Sequence, residues 1–197
     1  MIERLSVALS VAWAESDIIE ASDVDMYKYG LELLISMLAN TVVISVVSLL
    51  FGYPWAFAPF LLSLFPLRAF GGGFHASTYR RCIALSSSIF TGCLLMMLLI
   101  TDRNISTITC VSIAIISLVA QVLIAPVPAK NKPLTTYETK RNRIITLVGG
   151  TIMLIFGAVF SFSDMMESLS VKMFFCGEAM STALLLGGYV DNARKEN

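Results

Sequence analysis

Tyr53-Pro54-Trp55-Ala56-Phe57-Ala58-Pro59-Phe60-Leu61-Leu62-Ser63-Leu64-Phe65-Pro66-Leu67-Arg68 decides how this chain is threaded. Three prolines interrupt an otherwise apolar run, and its roughly 16 residues give only about 24 Å of helix against a bilayer core of about 30 Å. The stretch is either a short kinked span or a re-entrant segment shielded by its neighbours. Around it lie longer apolar runs at 31–51, 83–101, 105–127, 144–163 and 169–190, each near the roughly 20 residues that a bilayer core requires. The expected fold is all-α: a polytopic membrane protein with five to six transmembrane helices.

Composition points the same way. Of 197 residues 56% are apolar and 14% charged, against roughly 25% charged in soluble domains, and the mean hydropathy is +0.78. The formal net charge is zero, so no global field recruits nucleic acid. Near the N-terminus, Ile2, Leu5, Leu9 and Trp13 recur at three- and four-residue spacing, which predicts an amphipathic helix lying on the membrane surface. Leu5 to Ala14 imitates a signal peptide, but Glu3 beside Arg4 and the interrupting Ser6 and Ser10 argue against one. Residues 1–28 are read as an interfacial segment of a single membrane-embedded domain, 1–197.

The basic residues orient the spans. Arg68, Arg80 and Arg81 lie in the 68–82 segment, and Lys130, Lys132, Lys140, Arg141 and Arg143 in the 128–143 loop, two spans further on. Arg194 and Lys195 follow after two more, so all three groups share a side. By the positive-inside rule that side is cytoplasmic. If the proline-rich stretch spans, every Lys and Arg except Arg103 and Lys172 faces inward. Lys172, inside the last run, is expected to snorkel to the surface, and Glu178 to face other helices or water.

On that side stands Arg68-Ala-Phe-Gly-Gly-Gly-Phe-His75-Ala-Ser-Thr-Tyr-Arg-Arg-Cys82, with the only histidine of the chain seven residues before a cysteine. An imidazole that takes a thiol's proton, with cations nearby, makes a nucleophile at neutral pH. In one straight helix the two residues would stand about 10.5 Å apart along the axis, too far for direct proton exchange. A bend at Gly71, Gly72 and Gly73, with Ser77 or Thr78 capping a helix that carries Cys82, would bring them together. The glycines form either a plain flexible turn or backbone donors for an oxyanion. Glu32 is either an orienter of the imidazole or, as a buried acid ordinarily is, simply packed beside Lys28, and Glu138 is the other inward-facing acid between spans. Cys93, Cys110 and Cys176 fall inside apolar runs without metal-ligand spacing and read as small core residues. No metal or cofactor is expected.

The combination Arg68-x-x-x-Gly-Gly-x-His75-Ala-x-x-x-x-x-Cys82 in a multi-span chain of this length resembles the accessory gene regulator B family. Tyr29-Gly30-Leu31-Glu32 and Ala125-Pro126-Val127-Pro128-Ala129-Lys130-Asn131-Lys132-Pro133 agree with it. The resemblance implies a cysteine endopeptidase in the bacterial cell membrane, with its active site on the cytoplasmic side. Cys82 would cleave a quorum-sensing precursor on the C-terminal side of the future signal, with His75 as base. The thioester so formed would then be displaced by a cysteine or serine of the precursor to close a thiolactone or lactone. The implied partner has an amphipathic N-terminal helix and an acidic C-terminal tail. Arg68, Arg80, Arg81, Lys130, Lys132, Lys140, Arg141 and Arg143 are the residues to receive that tail, although basic loops also fix topology and bind anionic lipid. Ser88 and Gly92, at i,i+4, suit close helix packing and suggest a homodimer interface. The competing reading is a non-catalytic transporter or scaffold subunit in which His75 and Cys82 merely pack.

Overall fold

The computed structural model describes residues 2–74, 78–128, 134–162 and 168–196. In it the proline-rich stretch becomes helix α3, Phe57–Gly71, which starts four residues and ends three residues later than the apolar run. Pro54 precedes the helix, and Pro59 lies in its first turn, where a backbone N–H has no helical acceptor to lose. Pro66 is the one proline inside.

Six further helices are described: α1 (Ile2–Glu15), α2 (Val24–Leu50), α4 (Tyr79–Leu99), α5 (Arg103–Ile124), α6 (Thr136–Ser161) and α7 (Leu169–Glu196). Five of them, α2 and α4 to α7, are long and apolar enough to cross a membrane. The molecule is therefore a multi-pass, all-helical membrane protein. Several helices run beyond the apolar runs that announce them. α2 begins seven residues before 31, and α6 eight residues before 144, because polar first turns extend past the apolar layer. At α6 the extension starts with a capping box: Glu138 N–H donates to Thr135 Oγ1 (3.2 Å), and Thr135 N–H to Glu138 Oε2 (2.9 Å).

Burial shows what is central. In α7, 56% of the apolar window is buried, against 17–22% in the other four spans, so α7 is the inner helix and the others present wide faces outward. Its chief partner is α3. A side chain on Gly177 would begin 2.1 Å from the Phe60 carbonyl oxygen, and Ser63 Oγ donates to the Phe174 carbonyl at 2.6 Å. These small residues let the backbones touch. α3, too short to span alone, is thus sheathed by α7, with Phe60, Ser63, Leu64 and Leu67 buried. It carries the chain from the 51–56 turn back to the end of the bundle where α2 and α4 begin.

α1 folds back on α2 rather than standing apart. Ser6 Oγ donates to Glu32 Oε1 at 3.3 Å, and the Trp13 and Tyr27 rings meet edge-on with centroids 6.2 Å apart. These two contacts set the helices antiparallel. The buried residues of α1 are Ser6 and Ser10, while Leu5, Val7 and Val11 are exposed. The small face packs on protein and the apolar residues look outward.

Lys172 does not snorkel outward as its position in the sequence suggests. It is 5% exposed, and its Nζ donates to the Ile100 carbonyl at 2.6 Å, where α4 ends. A cation at a helix C-terminus is favourably placed.

Candidate active site

The helix that bears Cys82 starts at Tyr79, so no straight rod joins 75 to 82. Thr78 is its N-cap, with extended backbone (φ −142°, ψ 148°) and a hydroxyl that accepts from Arg81 N–H at 3.4 Å. Thr78 thus takes the capping role expected of it or Ser77. Cys82 is the fourth helical residue, and its N–H donates to the Thr78 carbonyl at 3.1 Å. Its side chain therefore lies at the positive end of the helix dipole. A second contact pins this end: Tyr79 Oη donates to Glu32 Oε2 at 2.5 Å. His75 and Ser77 lie outside the described residues.

Upstream, α3 ends in a backbone crossing. Gly72 (φ +75°) and Gly73 (φ +114°) occupy conformations that favour glycine. A side chain on Gly72 would begin 2.1 Å from the Val127 carbonyl oxygen, and one on Gly73 2.5 Å from that of Leu184. Gly72 N–H donates to Arg68 O (3.1 Å), Gly73 N–H to Val127 O (3.3 Å) and Phe74 N–H to Leu184 O (2.7 Å); Val127 N–H closes on Gly71 O (2.9 Å). Of the two expectations for the glycine triplet, a turn or a set of oxyanion donors, the hydrogen bonds of 72 and 73 favour the turn. The N–H groups of Gly72 and Gly73 already have backbone acceptors, and the glycines let the 72–74 segment pass against Val127 and α7.

Arg68 reaches the same place from the last turn of α3. Its Nη2 donates to the Phe74 carbonyl at 2.9 Å, fixing the residue just before His75, while its Nη1 is buried with no partner among the described residues. It lies within Coulomb reach of Cys82. Together these side chains line a cavity of about 350 Å³. Cys82, Tyr79 and Arg68 line it from the start of α4 and the end of α3, and Val127, Pro128, Leu134 and Asn142 border it from other segments. Leu33, Met37, Leu64, Phe65 and Met180 make its walls largely apolar.

The other basic residues expected at the site stand outside this cavity. Arg80, Arg81 and Lys140 are exposed. Arg141 binds the side chain of its neighbour Asn142, with Nη2 to Oδ1 at 3.2 Å, and Arg143 Nη2 donates to the Val122 carbonyl at 3.2 Å, at the end of α5. Lys130 and Lys132 lie outside the described residues. Glu32 is engaged by Ser6 and Tyr79, one on each oxygen, so what it holds among the described residues is the start of α4. Glu178 is fully buried, both its oxygens lacking partners among the described residues, and it is not one of the cavity walls. Ser88 and Gly92 are exposed on the outside of α4.

Three lining residues escaped the reading of the sequence: Ser36, Asn40 and Ser86. Their signal is an amide and two hydroxyls at i,i+4 to one another or to Cys82, inside apolar runs where polar groups are costly.

Fold and site together define a multi-pass membrane protein that presents a cysteine to a largely apolar cavity at one end of a helical bundle. The chain belongs to the accessory gene regulator B family, whose model matches residues 6–184, an interval that contains the whole 68–82 motif. Comparison with curated proteins and with solved structures gives no match. Membership places the protein in the processing of quorum-sensing peptides and implies a pro-peptide as its partner.

Proposed function

We propose that the chain is a membrane cysteine endopeptidase with Cys82 as nucleophile and His75 as general base. The observation that carries the reading is the placement of Cys82: first turns of α4, open to an apolar cavity, beside an arginine that also grips Phe74. In the first step the Cys82 sulfur attacks the carbonyl carbon of the scissile peptide bond, and His75 takes the thiol proton. The C–N bond breaks, and the departing amine receives that proton. The precursor's N-terminal part is left as a thioester on Cys82.

A thiol or hydroxyl of the same precursor then attacks the thioester carbon. Its proton passes to His75, the Cys82 sulfur leaves, and the product is a thiolactone or lactone. Exchange of one thioester for another is close to neutral, so ring closure needs no external energy source. Water must be kept from the acyl-enzyme. The apolar walls of the cavity suit that need.

Arg68, with a buried N–H group that has no partner among the described residues, is the residue best placed to meet negative charge on the attacked carbonyl oxygen. The end of the bundle that carries Cys82 also carries the starts of α2, α4 and α6 with their basic residues, which favours a cytoplasmic active site. Lys140, Arg80 and Arg81, exposed there, suit an acidic tail of the precursor. The outward-facing Ser88 and Gly92 suit contact with lipid or a second copy.

Co-expression with the precursor tests the chemistry. Cys82→Ala and His75→Ala are each expected to lose cleavage by at least about 100-fold while remaining in the membrane, in line with removal of a nucleophile or base. Full cleavage by either variant would leave the non-catalytic reading in its place.

A further inference from the structure

The cavity that holds Cys82 also holds a polar group that the proposed chemistry does not use. Asn40, in the middle of α2, is only 9% exposed and lines the cavity, yet its Oδ1 is buried without a hydrogen-bond partner among the described residues. A buried amide oxygen left unpaired is costly, so such groups in native proteins ordinarily have a partner. Ser36, one turn before it on α2, and Ser86, facing it from α4, line the same space. The surrounding walls are hydrocarbon: Leu64, Phe65 and Met180.

Register gives the depth. The Tyr79–Glu32 hydrogen bond joins the start of α4 to the third turn of α2, and the two helices run in the same direction, so Ser86 and Asn40 lie at about one level, seven and eight residues further along. Cys82 is four residues short of Ser86, hence about 6 Å nearer the start of α4. Two residues of extended peptide cover about 6.6 Å. A chain acylated on Cys82 and running inward therefore brings the main chain of its last one or two residues to Asn40.

We propose that Asn40 is a positioning residue whose side-chain amide holds one main-chain peptide group of an apolar stretch of the substrate, immediately N-terminal to the bond that Cys82 attacks. The inference rests on the endopeptidase reading and names the substrate class that its cavity takes. An asparagine can accept a peptide N–H at Oδ1 and donate to a peptide carbonyl from Nδ2. It thereby satisfies the backbone without asking for a particular side chain. The hydrocarbon walls supply the side-chain preference, which is apolar. The α2 wall agrees, because Leu33 and Met37 border the cavity and are 36% and 42% exposed. Apolar side chains of a bound segment thus have apolar walls to rest on.

The test uses the full-length protein in detergent micelles and reads alkylation at Cys82 by mass spectrometry. The probes are N-acetyl-Leu-Leu-Phe chloromethyl ketone, which loses chloride to the cysteine sulfur, the same probe with Glu in place of both Leu residues, and iodoacetamide as a reagent too small to need the deep pocket. The Leu-Leu-Phe probe is expected to react at least tenfold faster than the Glu-containing one. Asn40→Leu should slow the Leu-Leu-Phe probe about tenfold and leave the iodoacetamide rate within about twofold. N-methylation of the main-chain nitrogen that reaches Asn40, found by methylating each in turn, should cost about tenfold on the parent protein and nothing further on Asn40→Leu. Should Asn40→Leu fail to fold, the methylated probes on the parent decide alone.

Equal rates for all methylated and unmethylated probes would overturn the proposal. So would parallel slowing of both reagent classes by Asn40→Leu, which marks a merely structural residue. The endopeptidase reading fails separately, if Cys82→Ala still cleaves the precursor.

Discussion

Arg68 has two roles that can be told apart by substitution. One guanidinium nitrogen holds the Phe74 carbonyl at 2.9 Å, and the other is buried without a partner among the described residues, near Cys82. Hydrogen bonds from a charged donor contribute roughly 1.5–3 kcal/mol, so Arg68→Gln is predicted to lower kcat/KM for the precursor by about ten- to 100-fold. Membrane abundance and helix content should be unchanged. Arg68→Lys keeps the charge but not the fork that serves two directions, and is expected to recover only part of the loss. A steady-state assay on purified protein reads both; an Arg68→Gln enzyme with parental kcat/KM would remove Arg68 from the site. The surroundings of Cys82 were only partly legible in the sequence. His75 and Cys82 stood out because a lone histidine near a cysteine in a basic segment is unusual chemistry, whereas Asn40 did not, since which face of an apolar helix meets a cavity depends on the register of α2 against α4. The role of the glycine triplet stayed open between a turn and oxyanion donors for a related reason. The Gly73 N–H meets Val127 and the Phe74 N–H meets Leu184, partners more than 50 residues away in the chain that no local spacing announces.

Helix starts, not helix middles, place the site. Thr78 caps α4 one turn before Cys82, and loss of such a cap costs about 1 kcal/mol. Thr78→Ala is predicted to lower the midpoint of thermal unfolding by a few degrees and to speed alkylation of Cys82 by iodoacetamide, because the first turn frays. An unchanged melt with unchanged alkylation would show that Tyr79, held by Glu32, anchors the turn alone. The opposite end of the same junction depends on close backbone approach. A side chain on Gly188 would begin 2.4 Å from the Gly73 carbonyl carbon, and overpacking of this kind costs about 1–3 kcal/mol. Gly188→Ala should therefore push the 72–74 segment off α7, lowering both thermal stability and processing; a variant with parental melt and activity would show that the crossing is not tight in solution. Apolar length located the five long helices well, since bilayer thickness dictates it. It missed the true beginnings of α2 at Val24 and α6 at Thr136, because polar turns outside the apolar layer are set by caps rather than by hydropathy. The proline-rich stretch stayed ambiguous for want of its partner: α3 is shorter than a bilayer core and is helical within the bundle because α7 covers it.

At the scale of the molecule, charge is concentrated at the end that holds the cavity, but its members do different work. Arg143 binds the last turn of α5 through the Val122 carbonyl, so its replacement acts on stability. Lys140 and Arg141 stand exposed on the first turns of α6. Lys140→Gln with Arg141→Gln is predicted to raise KM for a precursor with an acidic tail by about three- to tenfold and to flatten its salt dependence, as expected for exposed charges. Arg143→Gln should instead lower the melt with KM little changed. Equal processing by the double variant at low salt would reject a recognition role for these two residues and leave them as determinants of topology.

The central claim is that Cys82 carries the acyl group between cleavage and ring closure. Intact-protein mass spectrometry after brief mixing with precursor measures that directly, with peptide mapping to locate the adduct. The account predicts an added mass equal to the N-terminal part of the precursor, attached at Cys82, released by neutral hydroxylamine, and missing from Cys82→Ala. Precursor cleavage with no adduct in the parent and undiminished turnover by Cys82→Ala would contradict it.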